Sequence, residues 1–176
     1  MTRGARPFSP VPGSPLVPTG DPMIDGVGPA AWAEDRADRC DLTLHGEPRI
    51  RPMRVVTGVT VHPKSPDPRG MRVVGTDGVV AGTVVDIWVD LAEPYVRYLT
   101  VLLVDGSGEV LLPMGYARVV RATGTVHVKA IRAAQFARVP RPKAADRITL
   151  LEEDKVVAYY AGGYMYAEPS RQEPLF

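Results

Sequence analysis

The stretch GTVVDIWVDLAEPYVRY, Gly82 to Tyr98, decides the reading of the fold. Its first half alternates with period two, placing Thr83, Val85, Ile87, Val89 and Leu91 on one face and Asp86, Trp88 and Asp90 on the other. β-Branched residues dominate the first face, which predicts a half-buried strand. The second face sets two carboxylates around a tryptophan, and its plain reading is the solvated side of a sheet. Leu91-Ala92-Glu93-Pro94 then returns the chain into a second apolar run, Tyr98 to Val104, with Arg97 just before it and placed to reach the acidic face.

Working outward, Val55 to Val61 is a strand by β-propensity, and His62 to Gly70 is a loop. Arg72–Val74 and Val79–Val80 flank Gly75-Thr76-Asp77-Gly78, whose Asp-Gly pair is a hairpin signal. Tyr98–Val104 pairs with Glu109–Leu112 across Asp105-Gly106-Ser107-Gly108, and Arg118–Ala122 with Thr125–Ile131 across Thr123-Gly124. Short strands at this spacing predict a mainly β fold, a small antiparallel barrel or sandwich. Toward the C-terminus the period changes. Thr149-Leu150-Leu151-Glu152 is a capping box that starts a helix, and Gly162-Gly163 stops it. Glu152, Glu153 and Asp154 fall in its first turns, where the helix dipole accounts for them without a catalytic role.

The N-terminal side reads differently. Seven of the 18 prolines lie in the first 30 residues, which predicts an extended segment without regular structure, laid across a partner. Ala30 to Asp38 is a candidate short helix carrying Trp32, and 39–53 is polar and irregular, with His45 and Glu47. The chain thus divides into an extended segment over 1–53, a β domain over 54–145, and a C-terminal helix and tail over 146–176.

At 176 residues the chain is long enough for one real core. Its 21 basic and 20 acidic residues leave a formal charge of +1, so it carries no nucleic-acid footprint. The single Cys40 excludes an internal disulfide and fits a reducing compartment, and nothing in sequence activates it as a nucleophile. No apolar run reaches the roughly 18 residues that a membrane-spanning helix needs, and prolines interrupt any signal-peptide core. His45, His62 and His127 lack metal-ligand spacing, so no metal site is expected. Asp86 and Asp90 lie roughly 13 Å apart on a strand, too far for a paired acid–base site. The chain does not read as an enzyme.

Six motifs in order carry a resemblance: GDPMIDGVGPAAW (Gly20–Trp32), IRPM (Ile50–Met53), VVDIWVD (Val84–Asp90), LLPM (Leu111–Met114), VHV (Val126–Val128) and TLLEEDKVVAYYAGGYMYA (Thr149–Ala167). Together they resemble the H subunit of the photosynthetic reaction centre of purple-type bacteria, in its cytoplasmic PRC-barrel domain. The resemblance runs from about Pro18 to Pro169. That family's H subunit begins with a membrane-spanning helix, which this sequence lacks. A separate single-helix anchor peptide is therefore expected, with a truncated sequence as the other explanation.

The resemblance implies a cap, itself without pigment, on the cytoplasmic face of the photosynthetic membrane. It would be held there by the L and M subunits, with antenna polypeptides as further neighbours. Bacteriochlorophyll, bacteriopheophytin, quinones and non-haem iron belong to the partners. It also implies a part in proton delivery to the secondary quinone. Asp90 and Glu93 match the family's acidic pair, with Arg97 and Asp86 as supporting charges. The family's surface Asp-x-His-x-His cluster reads here as Thr43, His45 and Glu47, which implies weakened inhibition by transition metals. Asp21, Pro22, Met23 and Trp32 of the first motif, and Tyr164, Met165 and Tyr166 of the last, are expected at the interface. For the tyrosine-rich run, core packing is the competing reading. A free-standing PRC-barrel adaptor is the alternative for the whole chain.

Overall fold

The computed structural model of the protein describes residues 4–93 and 95–172. Pro94, in the expected turn after Glu93, lies outside the described residues. In chain order the elements are β1 (Ala5–Pro7), β2 (Leu16–Pro18), α1 (Pro22–Asp25), β3 (Ile50–Pro52), β4 (Arg72–Val74), β5 (Val80–Asp90), β6 (Val96–Leu103), β7 (Glu109–Pro113), β8 (Ala117–Val120), β9 (Thr125–Val128) and α2 (Leu150–Tyr166).

Strand β5 organises the molecule because it is long enough to serve three neighbours. One edge pairs with β6 from Gly82 to Val89. The other edge is divided: β4 takes the N-terminal part and β3 the C-terminal part, where Ile50 faces Asp90 and Pro52 faces Trp88. The path runs β7-β6-β5-β4-β9-β8, with β3 off it, so the sheet is mainly β as expected but does not close on itself. The expected antiparallel pattern is broken once, where β4 and β9 run parallel.

The alternation in β5 does not survive intact. The register with β6 steps from Val84–Val101 to Asp86–Thr100, leaving Val85 as an unpaired bulge residue, exposed at 40%. Beyond the bulge both faces are covered. Ile87 and Val89 belong to the core against which Met53, Val59 and Val61 pack, while Trp88, 2% exposed, shares a cavity lining with 141–145 and its indole N–H donates to Thr100 Oγ1 at 2.9 Å. The expected solvated face is therefore corrected: Asp86 and Asp90 are both buried. A period-two pattern marks which residues share a face, not whether a later segment covers it.

Three other expectations fail locally. Val55–Val61 is not a strand: Met53–Val55 makes one 3-10 turn, Gly58 sits at φ 81°, and Val59 and Val61 pack on the core without pairing. Residues 31–38 form no helix. The segment before them, expected to be irregular, instead forms a β1–β2 hairpin and α1. Asp21 Oδ1 accepts from the Met23 amide at 3.0 Å, Pro22 takes the first helical position, and Gly26 closes α1 at φ 68°. The Asp-Pro pair is a helix start, not only a breaker.

The capping box of α2 forms as expected. Thr149 Oγ1 accepts from the Glu152 amide at 3.2 Å, and Glu152 Oε2 accepts from the Thr149 amide at 2.9 Å. The helix does not stop at Gly162-Gly163 but continues to Tyr166. A β-carbon on Gly162 would meet Ala30 Cβ at 2.5 Å, and one on Gly163 would meet the Ala130 carbonyl oxygen at 2.4 Å. These glycines permit close packing inside a helix instead of ending it.

Candidate functional site

The last residue of β5 is the centre of the site. Asp90 is 1% exposed, and the bend that follows turns the amides of Ala92 and Glu93 onto its Oδ1 at 3.0 and 3.1 Å. Pairing of β3 with β5 brings Arg49, one residue before β3, to the same place, and its carbonyl accepts from the Leu91 amide at 2.8 Å. Arg49 Nε reaches both Asp90 oxygens at 2.8 and 2.9 Å. Its two terminal nitrogens lie 3.4 Å from carboxylate oxygens of Asp41 and Glu93. Arg49 is thus shared by three carboxylates.

The carboxylates are tuned apart. Burial alone would raise Asp90, but the Arg49 guanidinium and the two backbone amides outweigh it and hold the group below the usual aspartate range. Glu93 keeps a 70% exposed side chain. On α2, Glu153 turns toward the same pocket, and burial raises its pKa. The Tyr98 hydroxyl, which donates to it at 2.8 Å, and Arg97 at 3.4 Å oppose that rise. Burial beside Glu153 also pushes the Tyr98 hydroxyl upward, so it stays a neutral donor. Asp41, Arg49, Asp90, Arg97, Tyr98 and Glu153 line one pocket of about 290 Å³.

The expected residues distribute as follows. Arg97 lines the pocket of Asp90, but its ion pair is with Glu153 and it donates to Tyr95 Oη at 2.5 Å. Asp86 lies in a different cleft, accepting from Arg54 at 2.8 Å and from the Ile87 amide at 2.8 Å. His45 and Glu47 are exposed on a turn whose two amides both donate to Thr43 Oγ1 at 3.3 Å. At the base of that turn Arg49 N–H donates to the Asp41 carbonyl at 2.8 Å, so the turn and the pocket share one short segment.

Several residues expected at an interface are engaged within the chain. Met23 is buried at 4%, and Asp21 pairs with Arg138 at 2.5 Å while capping α1 at Pro22. Trp32 is half-buried, with Lys155 Nζ 5.7 Å above its ring. The backbone of Gly20–Pro29, expected to lie extended across a partner, makes several bonds within the chain, including Val27 N–H to Pro22 O at 3.0 Å. Of the tyrosine-rich run, Tyr159 and Tyr160 belong to the core and Tyr166 is half-buried, while Tyr164 and Met165 remain exposed.

Sequence reasoning missed Arg49, Asp41, Tyr98 and Glu153. Glu153 was absorbed by the helix-dipole argument. Arg49 lies 41 positions before Asp90 and carried no local signal.

Residues 2–55 match the family described as photosynthetic reaction centre, H-chain N-terminal region. Residues 64–135 match the PRC-barrel domain. The Arg49–Asp41 side of the pocket falls in the first match, and Asp90, Glu93, Arg97 and Tyr98 in the second.

Proposed function

We propose that this chain, an H-subunit-like protein with a PRC-barrel domain, caps the L and M core of a photosynthetic reaction centre on its cytoplasmic side. In that place it stabilises the core, shields the quinone sites, and helps carry protons to the secondary quinone. No helix among the described residues is long and apolar enough to cross a membrane, so the reading has partner subunits hold the chain there. The pigments, quinones and iron would belong to those partners. The observation that carries the proton-relay part is the sharing of Arg49 among Asp41, Asp90 and Glu93.

Within this reading the carboxylates have different tasks. Asp90, held ionised by Arg49 and two amides, is a fixed negative charge. Glu93, exposed and only loosely paired with Arg49, is assigned as the carrier on its accessibility. His45 and Glu47, exposed on the turn beside this pocket, are the surface entrance in this reading.

Two measurements test the two parts. Gentle-detergent purification of the tagged chain from phototrophically grown cells is expected to bring down bacteriochlorophyll, L, M and a small single-helix peptide. A colourless eluate without L or M would overturn the cap and favour a free adaptor. In the intact complex, Glu93→Gln is expected to slow the second electron transfer to the secondary quinone by about tenfold, below the usual contribution of a positioned proton donor. An unchanged rate removes Glu93 from the path.

A further inference from the structure

We propose that the cleft between the β4–β5 turn, the β8–β9 edge and the end of α2 binds a phosphate-bearing anion. The cleft holds about 610 Å³, and Thr76, Arg118, His127, Lys129, Tyr164 and Arg171 line it. Among the described residues no carboxylate belongs to its lining, whereas the clefts around Asp90 and Asp86 mix cations with acids. With a net charge of only +1 over the chain, this is a local concentration of positive charge and not general basicity.

The fold builds the cluster from three directions. The β8–β9 register places Arg118 directly opposite His127, and both are exposed. Cross-strand partners of this kind lie about 5 Å apart at Cβ, and Lys129 follows two residues on. Arg171 is fixed in place: its guanidinium donates to the carbonyls of Lys129 at 3.0 Å, Ala130 at 2.9 Å and Gly163 at 2.9 Å, and to Thr76 Oγ1 at 2.6 Å. Those acceptors are neutral, and Glu168 at 3.4 Å is the acid that faces it.

Among the described residues neither Arg118 nor Lys129 has an acidic partner. The nearby Asp77 is engaged by Arg132 at 3.6 Å and by the Ala133 amide at 3.2 Å. Like charges gathered in a concavity repel one another until an anion enters, and the same field concentrates that anion. A guanidinium fork and an ammonium match the oxygens of a phosphate group. The 51% exposed Tyr164 adds an amphipathic ring at the rim, suited to whatever carries the phosphate. The shared chemistry fits a phospholipid headgroup or a soluble phosphate compound.

The test uses the full chain, the exposed double variant Arg118→Ser/Lys129→Ser, and an equal-charge control, Arg6→Ser/Lys64→Ser. Sodium pyrophosphate is titrated while amide resonances are followed, and flotation is measured with phosphatidylcholine vesicles with and without phosphatidylglycerol. Binding by the wild type and the control, weakened about 30-fold in the double variant, is expected from the loss of two cations. Pyrophosphate binding centred on 75–78 and 127–129 without flotation assigns a soluble ligand. Flotation only with phosphatidylglycerol, lost in the double variant, assigns a headgroup. Absence of both, or equal loss in the control, overturns the site.

Discussion

Replacing Arg49 with methionine is expected to lower stability at neutral pH by about 3 kcal/mol, because it strands a buried carboxylate. Asp90 is 1% exposed, and Arg49 is its charged partner at 2.8 Å. Methionine fills much of the same volume, so packing loss is small and the penalty is mainly electrostatic. The two amides of Ala92 and Glu93 remain, which keeps the cost below that of a wholly unpaired charge. Arg49→Lys is expected to fall between, since an ammonium restores charge but cannot serve Asp90, Glu93 and Asp41 at once.

The pH dependence gives this prediction its sign. In the wild type the folded pKa of Asp90 is depressed. Its contribution is present above the unfolded value of about 3.9 and is lost as pH falls through the lower folded value. In the methionine variant burial is opposed only by the amides, so the folded pKa lies higher than in the wild type. The variant therefore lacks part of that contribution at neutral pH, and the difference shrinks as pH falls through the carboxylate range. The gap between the proteins is then largest near pH 7 and smaller in acid. Urea unfolding at several pH values measures it. A gap within about 0.5 kcal/mol at pH 7, the range of ordinary surface changes, or one that grows in acid, would falsify the proposed role of Arg49.

The same residue marks how far the sequence could be read. Local chemistry was legible: the Asp77-Gly78 turn, the Thr149 capping box and the β5 strand all form where their residues place them. What was lost depended on covering and distance. Period two in β5 could not register the bulge at Val85, nor that Trp88, Asp86 and Asp90 on its other face would be buried. Seven early prolines suggested an unpartnered segment, yet Asp21-Pro22 starts a helix because proline lacks only an amide that the first helical turn leaves unpaired anyway. Asp90 and Glu93 were singled out by resemblance, but Arg49 was not, since it meets Asp90 only after β3 docks on β5.

Gly163→Ala is expected to destabilise the protein by about 3 kcal/mol, although alanine favours a helix by about 1 kcal/mol over glycine. The propensity gain acts on α2 alone. Against it stands the close approach of α2 to the chain leaving β9. The new methyl would lie 2.4 Å from the Ala130 carbonyl oxygen, 2.9 Å from its carbon and 2.5 Å from Ile131 Cγ2. Two of those are backbone atoms of a buried segment, so the helix itself must move away. That shift also pulls on Arg171, whose guanidinium bonds the carbonyls of Ala130 and Gly163 at 2.9 Å each and holds the two segments together. Gly115→Ala is the control, since a β-carbon there meets nothing within 4 Å and Tm should hardly change. Gly162→Ala separates the two glycines. Its methyl would press on Ala30 Cβ at 2.5 Å, in the turn that lays the N-terminal segment on α2. Faster amide exchange at Ala30 and Ala31, with a smaller fall in Tm than for Gly163→Ala, is the expected result there. For a chain of this length 3 kcal/mol corresponds to a Tm drop of roughly 10 °C. A Gly163→Ala protein that melts at or above the wild-type temperature would mean that Gly163 serves no close packing, and that α2 carries a glycine there for no structural reason.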